Sequence, residues 1–110
     1  MHIPLAEHYY VFNNAEFYGH RGEISHCQAL NTGMYAAMRE QKTVNWVTCG
    51  HDHNNDYYGD YDGITIGYGR KTGFACYGPD GIQRGARVFE ITQEPYSIKS
   101  WVRQEDGSIL

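Results

Sequence analysis

The amino-acid sequence predicts one small domain of the α/β (α+β) class, with a β-sheet and one amphipathic helix. Three observations lead to this class. One segment spaces its apolar residues as a helix does, a β-branched apolar run follows it, and the second half of the chain holds further alternating segments. With 110 residues, of which 41% are hydrophobic, the chain can bury one core, so residues 1–110 are expected to form a single unit.

The predicted helix covers residues 25–41. Its apolar residues recur at three- and four-residue steps and share one face, which comprises Cys27, Leu30, Met34, Ala37 and Met38. Ser25 is the expected N-cap, with Gln28 three residues later as in a capping box. The preceding residues 2–24 show neither a helical nor a strand period, and we expect them to form a loop.

Four segments are predicted to be strands. Residues 43–49, "TVNWVTC", are apolar and β-branched with little polar alternation, which favours a buried central strand. Residues 63–69 and 86–93 alternate, and another strand starts at residue 96 before a tight turn at "EDGS". The glycine-rich connection over residues 69–85 is long for a compact domain, and loops of that length are usually functional.

Charge and cysteine content exclude several classes of function. A net charge of −4 argues against nucleic acid as a partner, because binding to phosphate backbones depends on clustered Lys and Arg. No apolar run approaches the roughly 20 residues that span a bilayer, and the first ten residues lack the pattern of a signal peptide. Three cysteines without a CxxC pair suggest a reducing compartment, and the localisation is otherwise left open.

The stretch "TCGHDHNND", residues 48–56, has the composition of a metal-binding loop. His51 and His53 flank Asp52 directly after the apolar run, where the ligand sites of α/β sheets gather. In a locally extended His-x-His the two side chains point to opposite sides, so the pair suits two neighbouring ions, or one ion and another group. A third histidine, His2, lies in "HIP", where proline restricts the backbone. These three histidines are the predicted metal ligands.

Further residues are expected to support this loop or to contact a substrate. Side chains that orient a ligand histidine or fix the loop by hydrogen bonds are predicted at Asp52, Asn54, Asn55 and Asp56. A weaker prediction assigns the adjacent cations Arg70 and Lys71 to an anionic substrate. The other histidines, His8, His20 and His26, are expected at the surface.

Taken together, "HIPLAEH", "CGHDHNNDYYG", "GITIGYGRKTG" and "GARVFEI" resemble the C-terminal half of a calcineurin-like metallophosphoesterase. Within that superfamily the motifs are most similar to those of the purple-acid-phosphatase-related phosphatases. The resemblance implies half of a four-layer αββα sandwich, in which two mixed β-sheets are flanked by helices. It also implies hydrolysis of a phosphate ester by water that two metal ions activate, with Fe, Zn or Mn as the metals.

The resemblance implies a role for each of the three histidines. His2 and His51 match ligands of the second ion, and His53 matches a ligand of the first. The family's other ligands come from its N-terminal half, as an Asp-x-His, a GDxxD and a GNHE-type motif, and none of these occurs in the present sequence. The Asp-Tyr-Asp at residues 60–62 is a different pattern.

The expected function is therefore a metal-dependent phosphoesterase, to which this chain supplies the C-terminal ligand histidines and in which the chain alone is inactive. Its catalytic residues stay unassigned. The implied partners are the phosphate ester and a missing N-terminal half or partner chain. Two alternatives stay open: a non-catalytic half-domain that docks on a partner chain, and a single-zinc module that uses the three histidines.

Overall fold

The computed structural model describes all 110 residues, which form two helices and two β-sheets. In chain order the elements are α1 (Ala6–Asn14), β1 (Phe17–Tyr18), α2 (Met34–Gln41), β2 (Trp46–Cys49), β3 (Tyr58–Tyr61), β4 (Ile64–Tyr68), β5 (Gly85–Gln93) and β6 (Tyr96–Gln104). The first sheet has the strand order β1-β3-β4-β2, and the second is the β5-β6 hairpin. The β2-β4 pair is parallel and all other pairs are antiparallel, which confirms the predicted α+β class with a mixed sheet.

The core lies on β4 and its neighbours. Ile64, Ile66 and Tyr68 of β4 are buried and pack with side chains from α1, α2 and β2 and with Tyr57 just before β3. The buried cluster comprises Leu5, Val11, Tyr35, Val47, Cys49, Tyr57, Ile64, Ile66 and Tyr68. Burial of large aliphatic and aromatic side chains such as these contributes about 1.5–3 kcal/mol each. The core therefore holds β2 and β4 in place, and the predicted metal-binding loop leaves the end of β2.

The strand predictions over residues 63–69, 86–93 and from 96 are confirmed, but the prediction that residues 43–49 form a central strand is wrong. The strand β2 starts at Trp46, lies at the edge of its sheet and alternates between half-buried and buried residues. The central, buried strand is β4 instead. Sheet order depends on which distant segments pair, and the apolar composition of a single segment does not report it.

The helix predictions need two corrections. Helix α1 occupies part of residues 2–24, where a loop was predicted, because its inward face carries Glu7 and His8 beside Val11 and so lacks an apolar period. Helix α2 begins at Met34 rather than at Ser25, because Gly33 adopts a left-handed φ of 82° at the N-cap position. Neither helix has the length and apolar character that crossing a membrane requires.

Two arginines connect the β5-β6 hairpin and the chain before it to the first sheet. Arg87 of β5 donates from Nε to the Tyr68 carbonyl oxygen at 2.7 Å and from a terminal nitrogen to the Asp56 carbonyl oxygen. Arg70, which follows β4, donates to the carbonyl oxygen of Gln83 just before β5. The long connection predicted over residues 69–85 is confirmed as irregular chain between β4 and β5.

Candidate metal centre

The predicted ligand histidines line one polar pocket at the carboxyl end of β2. The pocket has a volume of about 260 Å³ and contains no apolar lining residue. Its walls come from the amino-terminal segment, the loop after β2 and the start of the connection after β4, and they comprise His2, Gly50, His51, Asp52, His53, Gly69, Arg70, Lys71, Thr72 and Gly73. Because β2 and β4 run parallel, the segments that follow both strands leave the sheet at the same edge.

His2 and His51 are direct neighbours in this pocket although 49 positions separate them in the chain. His51 Nδ1 lies 3.3 Å from His2 Nε2, and the two rings meet edge to face at a centroid distance of 5.1 Å. Two backbone hydrogen bonds bring the segments together. The Met1 nitrogen donates to the Thr48 carbonyl oxygen at 3.0 Å, and the Gly50 N–H donates to the His2 carbonyl oxygen at 3.2 Å.

The backbone at His51 is turned, so the expectation of a locally extended His-x-His is wrong. His51 has a φ of 74°, and the Asp52 N–H donates to the Gly50 carbonyl oxygen at 2.9 Å. This three-residue turn with positive φ is the rare and strained form of the γ-turn. A β-carbon at such a φ costs about 1–3 kcal/mol, and such strain clusters at binding sites. The turn aims the His51 ring at His2.

His53 is held separately, by Tyr77 from the long connection. Its ring stacks on the Tyr77 ring at a centroid distance of 4.3 Å, and its backbone N–H donates to the Tyr77 hydroxyl at 3.1 Å. His53 Nδ1 lies 2.8 Å from the Tyr77 carbonyl oxygen. Because a carbonyl oxygen only accepts, Nδ1 carries the proton and the Nε2 lone pair is free. No local sequence signal pointed to Tyr77 in this position.

Asp52 is buried and bonds to a histidine outside the predicted set. Its carboxylate accepts from His26 Nδ1 at 2.8 Å, from the His26 backbone N–H at 3.1 Å and from the Tyr68 hydroxyl at 2.7 Å. His26 is exposed at the surface, as predicted. Glu23, His26 and Asp52 place ligand atoms within 4.8 Å of one another and could hold a cation. This group is distinct from the three predicted histidines.

A buried hydroxyl network continues from Asp52 into the core. The Ser25 hydroxyl lies 2.8 Å from the Tyr68 hydroxyl and 2.7 Å from the Tyr57 hydroxyl, which in turn donates to the His8 carbonyl oxygen at 3.0 Å. Burial raises the pKa of Tyr57 to about 12 and also raises the pKa of Tyr68. Both phenols therefore stay protonated and donate, which anchors the Asp52 carboxylate.

The three polar residues after His53 connect the loop to neighbouring segments. Asn54 accepts from the Asp80 N–H at 2.8 Å, and its own N–H donates to the Glu23 carboxylate at 2.8 Å. Asn55 Oδ1 accepts from the Gly22 and Glu23 N–H groups at 3.1 and 3.0 Å. The Asp56 carboxylate accepts from the His20 N–H.

The two cations named for substrate contact are already bonded within the protein. The Arg70 guanidinium pairs with Asp56, and the two side chains are only 1% and 3% exposed. Lys71 Nζ donates to the Ala75 carbonyl oxygen at 2.6 Å. Both residues line the pocket, but a substrate anion would have to compete with these partners.

His8 is buried in the core, so the expectation that it lies at the surface is wrong. Its Nδ1 accepts from the Leu5 N–H at 3.1 Å, which caps α1, and its Nε2 lies 3.3 Å from the Gly67 carbonyl oxygen. Burial lowers the pKa of His8 to about 4, so the ring is neutral at pH 7. The spacing of hydrophobic residues did not identify His8 as a core residue, because histidine counts as polar.

Fold and pocket together define an α+β domain with a histidine-lined site at the carboxyl end of a parallel strand pair. No protein-family model and no solved structure matches the chain. Curated proteins of Arabidopsis thaliana do match. The chain is 31% identical over 115 residues to probable inactive purple acid phosphatase 14 and 32% identical over 114 residues to probable inactive purple acid phosphatase 29. A third relative, probable inactive purple acid phosphatase 28, is 31% identical over 113 residues.

These comparisons confirm the resemblance to the purple acid phosphatase family of the calcineurin-like metallophosphoesterases. Each of the first two matches covers 96% of the present chain but only 29% of the relative. The chain therefore spans less than a third of the length of these relatives, and all three carry the word "inactive" in their names.

Proposed function

We propose that this chain supplies the histidine ligands of a metal-dependent phosphoesterase site, which needs further ligands from polypeptide beyond these residues. The observation that carries the proposal is the 3.3 Å separation between His51 Nδ1 and His2 Nε2. Zinc–histidine bonds are about 2.0–2.1 Å long, so two nitrogen ligands on one tetrahedral ion lie about 3.3–3.4 Å apart. The separation of this pair therefore matches the distance expected between two ligands of one ion.

His53 supports the proposal in a different way. Its protonated Nδ1 faces the Tyr77 carbonyl oxygen at 2.8 Å, and a carbonyl behind a ligand histidine fixes the tautomer and strengthens the free nitrogen as a ligand. The stacked Tyr77 ring restricts the orientation of the imidazole. His53 is therefore prepared for a cation different from the one that His2 and His51 share.

The pocket also suits a phosphate ester. No hydrophobic side chain lines it, and at about 260 Å³ it admits a phosphoryl group. Divalent ions bound there would polarise the phosphoryl oxygens and activate water for attack on phosphorus. The chain itself contributes the ligand nitrogens, while Asp52 and its hydrogen bonds to His26 and Tyr68 hold the loop that carries two of them.

Titration calorimetry of the chain with zinc and with manganese tests the ligand assignment. We expect weak binding by the parent chain and its loss in a His51→Ala, His53→Ala double variant. A His20→Ala variant is the matched control, because His20 is half-buried and lies outside the pocket. A double variant that binds the ion as well as the parent would show that the assignment is wrong.

The word "inactive" in the names of the relatives motivates a second candidate, a non-catalytic metal-binding module. Three histidines with one open position suffice for a single zinc ion, but His53 would have to move toward His2 and His51, because the three do not place ligand nitrogens within 4.8 Å of one another. Elemental analysis of the purified chain distinguishes the two candidates. One tightly held zinc per chain would favour the module, whereas weak and partial occupancy would favour an incomplete two-ion site.

A further inference from the structure

A second cavity lies between the first sheet and the β5-β6 hairpin. Its volume is about 410 Å³, which falls within the range of about 300–1,000 Å³ that is typical of small-molecule sites. Its walls combine apolar and charged side chains, and Arg70 is the one residue that also lines the metal-centre pocket. The apolar lining residues are Tyr18, Tyr58, Ile82, Trp101, Val102 and Leu110. We call this space the inter-sheet cavity.

The charged lining residues of the inter-sheet cavity are two arginines and one aspartate, so positive charge is in excess. Arg70 and Asp56 form a pair, and their side chains are only 1% and 3% exposed. Nε and Nη2 of Arg70 both donate to Asp56 Oδ2, while Asp56 Oδ1 accepts from the His20 N–H. Arg87 belongs to none of the ion pairs of the molecule. Its charge therefore has no carboxylate within ion-pair distance.

Arg87 is half-buried and donates only to uncharged acceptors. Nε donates to the Tyr68 carbonyl oxygen at 2.7 Å, Nη1 to the Ser100 hydroxyl at 3.2 Å and Nη2 to the Asp56 carbonyl oxygen. A guanidinium carries five N–H donors, so two of them have no acceptor in the protein. Burial lowers the pKa of Arg87, although the nearby charge of Asp56 opposes this shift. Because a buried charge is favourable only beside a counter-charge, an anion next to Arg87 would be stabilised.

Aromatic surface lies directly beside this cation. The Arg87 Cζ atom stands 4.9 Å from the centroid of the Tyr58 ring, and the Tyr58 and Tyr18 rings are 5.6 Å apart at an interplanar angle of 31°. Tyr18 is 58% exposed, so the cavity is reached from solvent on this side. A planar ring that packs against the tyrosines would hold an attached anionic group close to Arg87.

We propose that the inter-sheet cavity binds a small aromatic monocarboxylate, with its carboxylate on Arg87 and its ring against Tyr18 and Tyr58. A monoanion matches the excess of one positive charge, whereas a dianionic phosphate ester would leave negative charge in a largely apolar space. The ligand therefore differs in chemical class from the ester expected at the metal centre. The proposal goes beyond the function proposed above and requires no metal.

Titration of the metal-free full chain with 2-naphthoate tests the proposal. Binding is followed by NMR at the Arg87 Nε–H and at the backbone amide of Ser100. Two probes divide the ligand into its parts: 2-naphthamide keeps the ring without the charge, and acetate keeps the charge without the ring. We expect 2-naphthoate to bind at least about tenfold more tightly than either, because hydrogen bonds to charged groups and ring burial each contribute that much. Equal affinity for the amide or for acetate would overturn the proposal.

Replacement of Ser100 locates the binding site. Ser100→Asp places a carboxylate beside Arg87 Nη1, where the ligand carboxylate is expected, and supplies the missing counter-charge. This variant should raise the urea midpoint of the chain and weaken 2-naphthoate binding at least about tenfold. Ser100→Asn is the matched control, because it has nearly the same shape without the charge, and it should keep the binding. Undiminished affinity in Ser100→Asp would overturn the proposal.

The metal-centre pocket is the competing location for an anion, because Lys71 lines it. Lys71→Met should leave the affinity for 2-naphthoate unchanged. An affinity that falls in Lys71→Met and survives in Ser100→Asp would overturn the proposal and place the ligand among the histidines. All of these readouts are taken without metal, so they are independent of the calorimetric test of the histidine ligands.

Discussion

Replacement of His51 by glycine should stabilise the metal-free chain relative to replacement by alanine. His51 has a φ of 74° in a γ-turn closed by the Asp52 N–H and the Gly50 carbonyl oxygen. Alanine keeps a β-carbon in this strained conformation, whereas glycine adopts positive φ freely. Both variants lose the same contact to His2, so that contact cancels when the two are compared.

The magnitude follows from two opposing terms. The strain at a β-carbon in this region is about 1–3 kcal/mol, and glycine removes it. Glycine also has more freedom in the unfolded chain, which costs about 0.4–1 kcal/mol relative to alanine. The His51→Gly variant should therefore be more stable than His51→Ala by up to about 2.6 kcal/mol, and by about 1.3 kcal/mol at the centres of both ranges.

Urea denaturation of both variants with chelator present measures this difference. His53 serves as the matched position, because it lies two residues on in the same loop and has no positive φ. There the order should reverse, with His53→Gly less stable than His53→Ala by about 0.5–1 kcal/mol. If alanine equals or exceeds glycine at His51, the strain argument is refuted.

Two further predictions concern buried charge. The pKa of His8 is 6.5 in the unfolded chain and about 4 in the folded chain. On acidification the unfolded state therefore takes up the proton first, and the free energy of unfolding drops by about 2 kcal/mol between pH 7 and pH 5. His8→Gln should flatten this slope in urea melts at the two pH values, and an unchanged slope would contradict the role of His8. Arg70→Met should lower the free energy of unfolding by about 3–5 kcal/mol, because Asp56 keeps an uncompensated buried charge. Arg39→Met, at the exposed pair with Asp62, should cost less than about 1 kcal/mol in the same melts, and equal losses at both sites would contradict the burial argument.

The strands β4, β5 and β6 were predictable from the sequence because their period of two is a local property, whereas β1 and β3 were not predicted. The hairpin of β5 and β6 pairs in register from Gly85 opposite Gln104 to Gln93 opposite Tyr96, close to the predicted bounds. The edge position of β2 was not predictable, since it depends on which distant strands pair with β4.

The helix predictions failed for a different reason. Leu30 stands at helical spacing from Met34, yet it is 76% exposed and precedes the helix. The left-handed Gly33 separates the two residues, and a sequence pattern does not report φ. In α1 the buried side chains include Glu7 and His8. Because both are polar, the inward face of this helix shows no hydrophobic periodicity in the sequence.

The candidate site was predictable where the signal is a short motif. His51 and His53 stand in one tetrapeptide after a strand, and His2 was added through "HIP" and the family resemblance. Tyr77 and His26 bond to this loop from 24 and 26 positions away, and neither stands in a motif that marks it. The positions of such supporting residues depend on the path of a long irregular loop. Irregular loops have no sequence periodicity from which that path could be predicted.

The distance along the chain between His2 and His51 has a mechanical consequence. An ion coordinated by both rings would act as a reversible cross-link that closes a loop of 49 residues. In the chain-entropy treatment of cross-links, a closure of that size restrains the unfolded chain by about 4 kcal/mol. Both helices lie inside this loop, so the metal content of a preparation should set how well the helical half of the molecule survives heating.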